Sequence, residues 1–382
     1  MMLAALIIGG VSLAAWVYLL LARGFFWLMR ERDDRALPAD PPDWPAVTAV
    51  VPARNEADVI ARSIGSLVAQ DYPASFRVVL VDDASDDGTG EVAARLGAGG
   101  RLTVMNGQPL APGWTGKLWA VAQGVEAACE SAPDYLWITD ADIAHDPGTL
   151  RRLVARAEAG RLALVSLMAR LQTGTFAERL LIPAFVFFFD MLFPFGLVNN
   201  PRQKIAAAAG GCMLVRREAL EAAGGIASIR GEIIDDCALG ARLKAQGPIW
   251  LGLTRTSVSL RPYGSLVDIG RMVSRSAYAQ LGYSPLLLAG TIAGMALVYL
   301  AAPLLTAFGP GDARWLGLAA WALMATAFQP MLRYYGLSPM WGVVLPLIGA
   351  LYTLFTVQSA IDVWRGRGGM WKGRSQALAA SS

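Results

Sequence analysis

The sequence predicts an α/β protein whose mostly parallel sheet is flanked, at both chain ends, by apolar segments long enough to cross a membrane. Three observations carry this. From residue 47 onward, short β-branched runs alternate with stretches of helical spacing, the rhythm of βαβ units. Pairs of aspartates stand where apolar strands end. And a chain of 382 residues that is 55% hydrophobic and only 16% charged is too apolar for an ordinary soluble protein, with much of the excess gathered near the termini.

The elements follow in order. Residues 3–29 hold only Arg23 as a charge and exceed the roughly 20 helical residues that cross a hydrocarbon layer. The run is too long for a signal-peptide core and lacks a small-residue cleavage site, so residues 1–29 read as an anchor. Residues 30–44, rich in proline and aspartate, read as a linker. Residues 47–51 form a strand, 57–70 a helix with Ile60, Ile64, Leu67 and Val68 on one face, and 78–81 a second strand. The alternation continues with helix 91–96, strand 101–105, helix 117–129, strand 135–139 and helix 148–158, within a domain spanning residues 45–262. Residues 176–198, rich in Phe and Leu, are broken by Pro183, Asp190 and Pro194. A helix-interior proline costs about 3 kcal/mol, which favours an interfacial helix pair in the headgroup layer, with a buried segment as the other reading. An interfacial connection at 263–284 leads to a transmembrane region at 285–364, with candidate spans 285–308, 315–332 and 339–364, and then to a basic tail, 365–382.

Arg23, Arg30, Arg32 and Arg35 follow the first span and favour a multi-pass arrangement with the middle domain in the cytoplasm and the amino terminus outside. Arg365, Arg367, Lys372 and Arg374 argue for the tail on the same side, which three further crossings do not allow unless one of them is re-entrant or interfacial. The net charge of +3 is small and clusters beside apolar spans, the pattern of a membrane surface and not of nucleic-acid binding. Cys129, Cys212 and Cys237 have no metal-like spacing and read as reduced, buried thiols.

The acidic pairs carry the chemistry. Asp140 and Asp142 follow an apolar strand, and their hard oxygens suit Mg2+ or Mn2+, which in turn suits the diphosphate of an activated donor. His145, three residues on, completes the metal shell, touches the donor phosphates, or faces solvent. Pro52-Ala-Arg54-Asn-Glu56 offers backbone donors, a guanidinium and a carboxylate to a polar ligand, or is an ordinary turn capped by Asn55 or Glu56. Asp82 and Asp83 can accept from a nucleobase N–H and ribose hydroxyls, or belong to a solvated acidic loop. Gly113-Trp-Thr-Gly-Lys117 places Lys117 near a phosphate at a helix start but does not match a P-loop, which disfavours nucleoside-triphosphate hydrolysis. Asp235 and Asp236 open a helix running to Lys244, as a general base and its neighbour or as acids favoured by the helix dipole. Ligands of open parallel sheets collect beyond the carboxyl ends of the strands. Residues 52–56, 82–83 and 140–142 all fall there, which points to one shared site.

In this order, Pro-x-Arg-Asn-Glu at 52–56, Asp-Asp-x-Ser-x-Asp-Gly-Thr at 82–89, Gly-Lys-x-x-Ala at 116–120, Asp-x-Asp at 140–142 and Asp-Asp-x-x-Leu at 235–239 resemble family 2 glycosyltransferases over about residues 45–275. The resemblance implies the GT-A fold, a Rossmann-like catalytic domain, and inverting transfer of a sugar from a nucleotide-diphosphate donor, with uridine the implied base. Asp82 and Asp83 would then meet the nucleoside, and Asp140 and Asp142 the metal diphosphate. Asp236 would be the catalytic base, supported by Asp235, with Pro52, Arg54, Glu56 and Lys117 on the donor side. Processive members and ceramide-glucosyltransferase-like relatives carry Gln or Arg, two residues, then Arg-Trp. Residues 272–276 keep only Arg275, the candidate for the leaving diphosphate, with Arg271 as a rival, and the missing tryptophan argues against polymer synthesis. The arrangement of apolar segments looks most like the hopene-associated glycosyltransferases of bacterial hopanoid pathways, which implies a lipid hydroxyl as acceptor. Two other readings stay open: a membrane nucleotidyl- or phospho-transferase acting on a polyprenyl phosphate, and a non-catalytic membrane scaffold with a donor-binding fold.

Overall fold

The computed structural model describes residues 1–97 and 99–367, together with the backbone of 370–371 and 374–375. The chain divides into two compact units, one built on Glu31–Gln172 and Leu197–Pro262, the other on Met1–Arg30, Thr173–Gly196 and residues 263–367.

The first unit is built on an eight-stranded sheet of β1 (Val47–Ala53), β2 (Phe76–Asp82), β3 (Leu102–Asn106), β4 (Tyr135–Thr139), β5 (Ile143–His145), β6 (Leu164–Arg170), β7 (Cys212–Arg216) and β8 (Ile249–Ser259), in the order β3-β2-β1-β4-β7-β6-β8-β5. β1 to β4 pair in parallel, as do β6 and β8. β7 runs against both its neighbours, and β5 against β8. The sheet is therefore mixed, with its parallel strands in the majority as expected.

On one face, Ile60, Ile64 and Leu67 of helix Ile60–Val68 and Leu150, Leu153 and Val154 of helix Thr149–Gly160 bury themselves against Val47, Val78, Trp137 and Leu214. Helix Gly116–Cys129 lies on the other face, where Val50 and Val81 point, because strand side chains alternate. It approaches closely: a Cβ on Gly124 would stand 2.6 Å from Val50 Cγ1. That approach carries Lys117 to the end of the sheet where β1, β2 and β4 stop.

Part of the stretch read as a linker is ordered onto β8. The Leu253 amide donates to Glu31 O at 2.9 Å, the Asp33 amide donates to Leu253 O at 3.0 Å, and the buried Asp33 carboxylate accepts from the hydroxyls of Thr254 and Thr256. These bonds replace water for a backbone that would otherwise run loose.

Among the described residues, five segments are long and apolar enough to cross a membrane by length and composition, Met2–Leu21, Phe176–Val198, Pro285–Phe308, Ala313–Tyr335 and Leu345–Trp364, and all of them lie in the second unit apart from the last two residues of Phe176–Val198. The 176–198 segment forms two helices, Phe176–Leu192 and Phe195–Val198, and much of the first is buried. Helix Phe176–Leu192 opens on a capping box formed by Thr175 and Glu178 and continues unbroken through Pro183. Its window is 61% buried, with Phe187 against Phe26 and Phe328, and Phe188 against Tyr299 and Tyr352. Dense aromatic packing offsets the one ladder bond that the proline forfeits. Asp190 is not stranded either, since it accepts from the Phe195 amide at 3.0 Å and so closes the helix end. Within the 263–284 connection, helix Leu266–Ser274 buries Ile269, Gly270 and Val273 and exposes Leu266, Val267 and Arg271. Of the basic tail, Lys372 lies outside the described residues.

Candidate active site

Asp140 follows β4 and Asp142 precedes β5, in a turn closed by the Ile143 amide on Asp140 O at 3.2 Å. Lys117 stands in the first turn of its helix, just after the N-cap Thr115. Its Nζ lies 3.0 Å from Asp140 Oδ1 and 3.1 Å from Asp235 Oδ2. Asp235 and Asp236 begin helix Asp235–Lys244, and Asp236 is held at both oxygens: Oδ2 accepts from the Gly210 amide at 3.0 Å and Oδ1 from the Cys237 amide at 2.7 Å. Positions 117, 140, 210 and 235–236, scattered along the sequence, thus meet at one point.

The electrostatics follow from that convergence. Burial works against the charge on Lys117, yet Asp140, Asp235 and Asp236 hold its ammonium protonated well beyond its ordinary range. Burial and the charge of Asp235 push Asp236 up to about 6, against the pull of Lys117 and the two amides. Burial likewise raises Asp140, with Lys117 opposing and Asp142 adding to the rise. A carboxylate shifted toward neutrality beside a fixed ammonium is an arrangement from which acid–base chemistry is built.

Two contributors escape the sequence reading. A Cβ on Gly210 would lie 3.3 Å from Lys117 Nζ and 3.5 Å from Asp236 Oδ2, so the Ala-Ala-Ala-Ala-Gly-Gly run at 206–211 exists to bring backbone against the cluster. That run of small residues ahead of a strand was a readable signal. The other is Arg261, two residues beyond β8. Its Nε donates to Asp142 Oδ2 at 2.8 Å and its Nη2 to Glu56 Oε1 at 2.6 Å. Arg275 and Arg271, the arginines expected at the leaving diphosphate, belong to the other unit, where Arg275 caps helix Leu266–Ser274 and Arg271 pairs with Asp268 at 3.6 Å.

The 52–56 and 82–89 loops are laced together. Pro52 sits within β1. Arg54 donates to the carbonyls of Asp83 and Ala84, with the Asp83 carboxylate 3.9 Å away. Asn55, at a φ of +50° that asparagine tolerates better than most residues, accepts from the Asp86 amide at 3.1 Å. Its own amide donates to Ser85 Oγ at 3.0 Å. Asp82 accepts from the Ser85 amide at 3.0 Å, and Asp82 and Asp83 are both buried. The two acids are therefore fixed within an ordered loop and do not form a solvated one.

His145 is not placed as a metal ligand or a phosphate contact. Its ring is buried, packs on Trp137 at 4.6 Å, and has both nitrogens engaged: Nε2 with Thr139 Oγ1 at 2.9 Å and Nδ1 with Ser257 Oγ at 2.8 Å. The Thr139 hydroxyl donates to Gly211 O at 2.7 Å, so it accepts from Nε2–H, and Nδ1 accepts from Ser257. This assignment follows from the hydrogen-bond network. Burial pushes the imidazole down to about 3, so it stays neutral and pins β4, β5, β8 and the glycine loop together. Replacing it by Phe, which fills the space but makes neither bond, should lower stability by about 2–4 kcal/mol. The drop is read as an earlier melting transition of the detergent-solubilised chain, with the divalent-ion dependence of its activity unchanged. A lost ion dependence would restore the ligand role.

Asp140 and Asp142 remain the candidate cation ligands. Among the described residues no group of three His, Cys, Asp or Glu side chains could hold a metal ion. Two carboxylates fit a hard cation that takes its other ligands from a diphosphate and water, as Mg2+ commonly does.

The mixed α/β sheet with acids at the ends of β2 and β4 is a GT-A-like arrangement. Residues 48–224 match the family described as Glycosyl transferase family 2, so the chain carries a glycosyltransferase domain of that type. A 4,4'-diaponeurosporenoate glycosyltransferase of Staphylococcus aureus (strain bovine RF122 / ET3-1) is 35% identical over 99 residues, which is 26% of this chain and 24% of the relative. The counterpart in strain MRSA252 is 36% identical over the same length, again 26% of this chain and 24% of the relative. The chain thus spans about a quarter of the length of these curated relatives. Among solved structures, a mannosyltransferase from Pyrobaculum calidifontis in complex with GDP-Man and Mn2+ superposes with a TM-score of 0.56 at 21% identity, covering 94% of this chain and 99% of its own. That likeness is one of fold.

Proposed function

We propose that this protein transfers a sugar, with inversion, from a nucleotide-diphosphate donor to a lipid hydroxyl, working at the cytoplasmic face of a bacterial inner membrane. The observation that carries the reading is Asp236, a carboxylate raised to about 6 and aimed by two backbone amides beside the Lys117–Asp140–Asp235 cluster. It takes the proton of the acceptor hydroxyl as that oxygen attacks the anomeric carbon, whose bond to the diphosphate breaks on the opposite side. Asp140 and Asp142 would hold a divalent cation, Mg2+ or Mn2+, which when bound offsets charge on the departing nucleoside diphosphate. Lys117 adds a fixed positive charge there, and the ordered loop around Asp82 and Asp83 takes the nucleoside. A lipid acceptor is supported by the relatives named for diaponeurosporenoate and by the five apolar segments. Uridine as the base and a hopanoid as the lipid are the narrower form of the proposal.

The test is to incubate membranes containing the protein with labelled nucleotide sugars and analyse extracted lipids by mass spectrometry. The expected product is a lipid heavier by one sugar, with nucleoside diphosphate released. Release of pyrophosphate or a nucleoside monophosphate would instead favour phosphoryl or nucleotidyl transfer. In the same assay Asp236 must be ionised to act, so kcat/KM should fall as the pH drops through about 6 and level off above it. A profile flat between about pH 5 and 8 would remove Asp236 from the role of base.

A further inference from the structure

The acids around Asp140 and Asp142 are already paired from within the chain, and Lys117 and Arg261 differ in what they hold. Lys117 lies between Asp140 and Asp235 and so braces the base's neighbour. Arg261 uses adjacent nitrogens of one guanidinium to span Asp142 and Glu56, carboxylates from two separate loops. All three side chains are largely withdrawn from water, at 34%, 17% and 10% exposure for Arg261, Asp142 and Glu56, so their attraction is poorly screened. The guanidinium is also pre-placed by backbone: the Leu260 amide donates to Asp142 O at 2.7 Å, and the Arg261 amide donates to Ser259 Oγ at 3.3 Å. A divalent cation approaching Asp142 Oδ2 therefore meets a fixed positive charge already bonded to that oxygen.

We propose that Arg261 is the internal counter-cation of the cation site, holding Asp142 until a divalent ion displaces it and thereby setting how tightly that ion binds. The inference rests on Asp142 being a cation ligand, as in the function proposed above. It makes Arg261 a positioning residue: a carboxylate left alone beside Asp140 would be repelled and disordered, whereas one clamped to Arg261 and Glu56 waits in place, at the expense of cation affinity.

The experiment measures binding of Mn2+ alone, without donor, to the detergent-solubilised full chain, by the electron paramagnetic resonance signal of the unbound ion. Loss of one charge-assisted hydrogen bond opposing the ion corresponds to about tenfold in affinity, so R261Q should bind Mn2+ about tenfold more tightly than the parent. Adding Asp142→Asn to R261Q should abolish the gain. R261K keeps a cation that cannot span both carboxylates and should tighten binding about threefold. It decides the matter should R261Q melt too early to be measured. Unchanged or weaker binding in R261K and in a folded R261Q, or a gain that survives Asp142→Asn, overturns the proposal. Failure of lipid labelling with this tightening intact would sink glycosyl transfer and leave the counter-cation standing. Successful labelling without tightening would do the reverse.

Discussion

Asp236→Asn is expected to lower the rate of sugar transfer by about two to four orders of magnitude, the range over which a positioned general base contributes, while leaving donor affinity within a few-fold of the parent. The substitution preserves size and one acceptor oxygen. Of the two amides now bonded to the carboxylate, Gly210 at 3.0 Å and Cys237 at 2.7 Å, one keeps its partner and the other faces an NH2 group. The side chain therefore stays near its place, but a neutral amide is far too weak a base to take the acceptor's proton. Donor affinity is spared because the groups assigned to the nucleotide, Asp82, Asp83, Asp140 and Asp142, belong to other loops. Single-turnover transfer and equilibrium binding of the nucleoside diphosphate separate the two effects. Asp236→Glu should recover only part of the rate, because the longer carboxylate loses its seat against Gly210. Transfer by Asp236→Asn at more than about a tenth of the parent rate would mean that the proton leaves by another route. Asp235→Asn should be milder, since its oxygen serves Lys117 and not the acceptor.

How much of this was legible depends on how each residue's position is encoded. β1 to β4 announce themselves by alternating with amphipathic helices, and acids at the ends of such strands can be placed before any coordinates exist. β6 could not be read in the same way: residues 164–169 are buried on both faces, and a continuous apolar run has no period to betray its structure. With β6 and β8 unassigned, nothing marks Arg261 as standing where a strand ends. His145 misleads for a related reason. Three residues from Asp142 it looks like a ligand, but it belongs to β5, whose pairing of His145 with Ser257 turns the ring inward. Only strand pairing, a long-range fact, reveals that. Pro183 shows the opposite limit, a local rule overridden by the aromatic packing around Phe187 and Phe188.

Lys117→Met should cost both stability and transfer, and the pH dependence of the loss identifies its cause. Methionine matches the length and buries as readily, so the change removes a charge and little packing. It leaves Asp140, Asp235 and Asp236 facing one another with no cation between them. Breaking a buried ion pair by removing one partner typically costs about 3–5 kcal/mol. With the Asp140 side chain 34% exposed, screening brings the expectation here to about 2–4 kcal/mol. The sign follows from linkage. Without the ammonium, the folded-state pKa values of Asp140 and Asp236, already raised, rise further above their unfolded values, so the folded variant binds protons that the unfolded chain does not. The stability this confers is present at low pH and lost as pH rises through the raised folded values. Asp236 already stands at about 6 with Lys117 in place, so the deficit should be largest above that pH and shrink below it. Melting of the detergent-solubilised parent and variant at about pH 8 and about pH 5.5 makes the comparison. A deficit of equal size at both would show that the lysine acts through its packing, and the charged cluster would then lose its claim to organise the site.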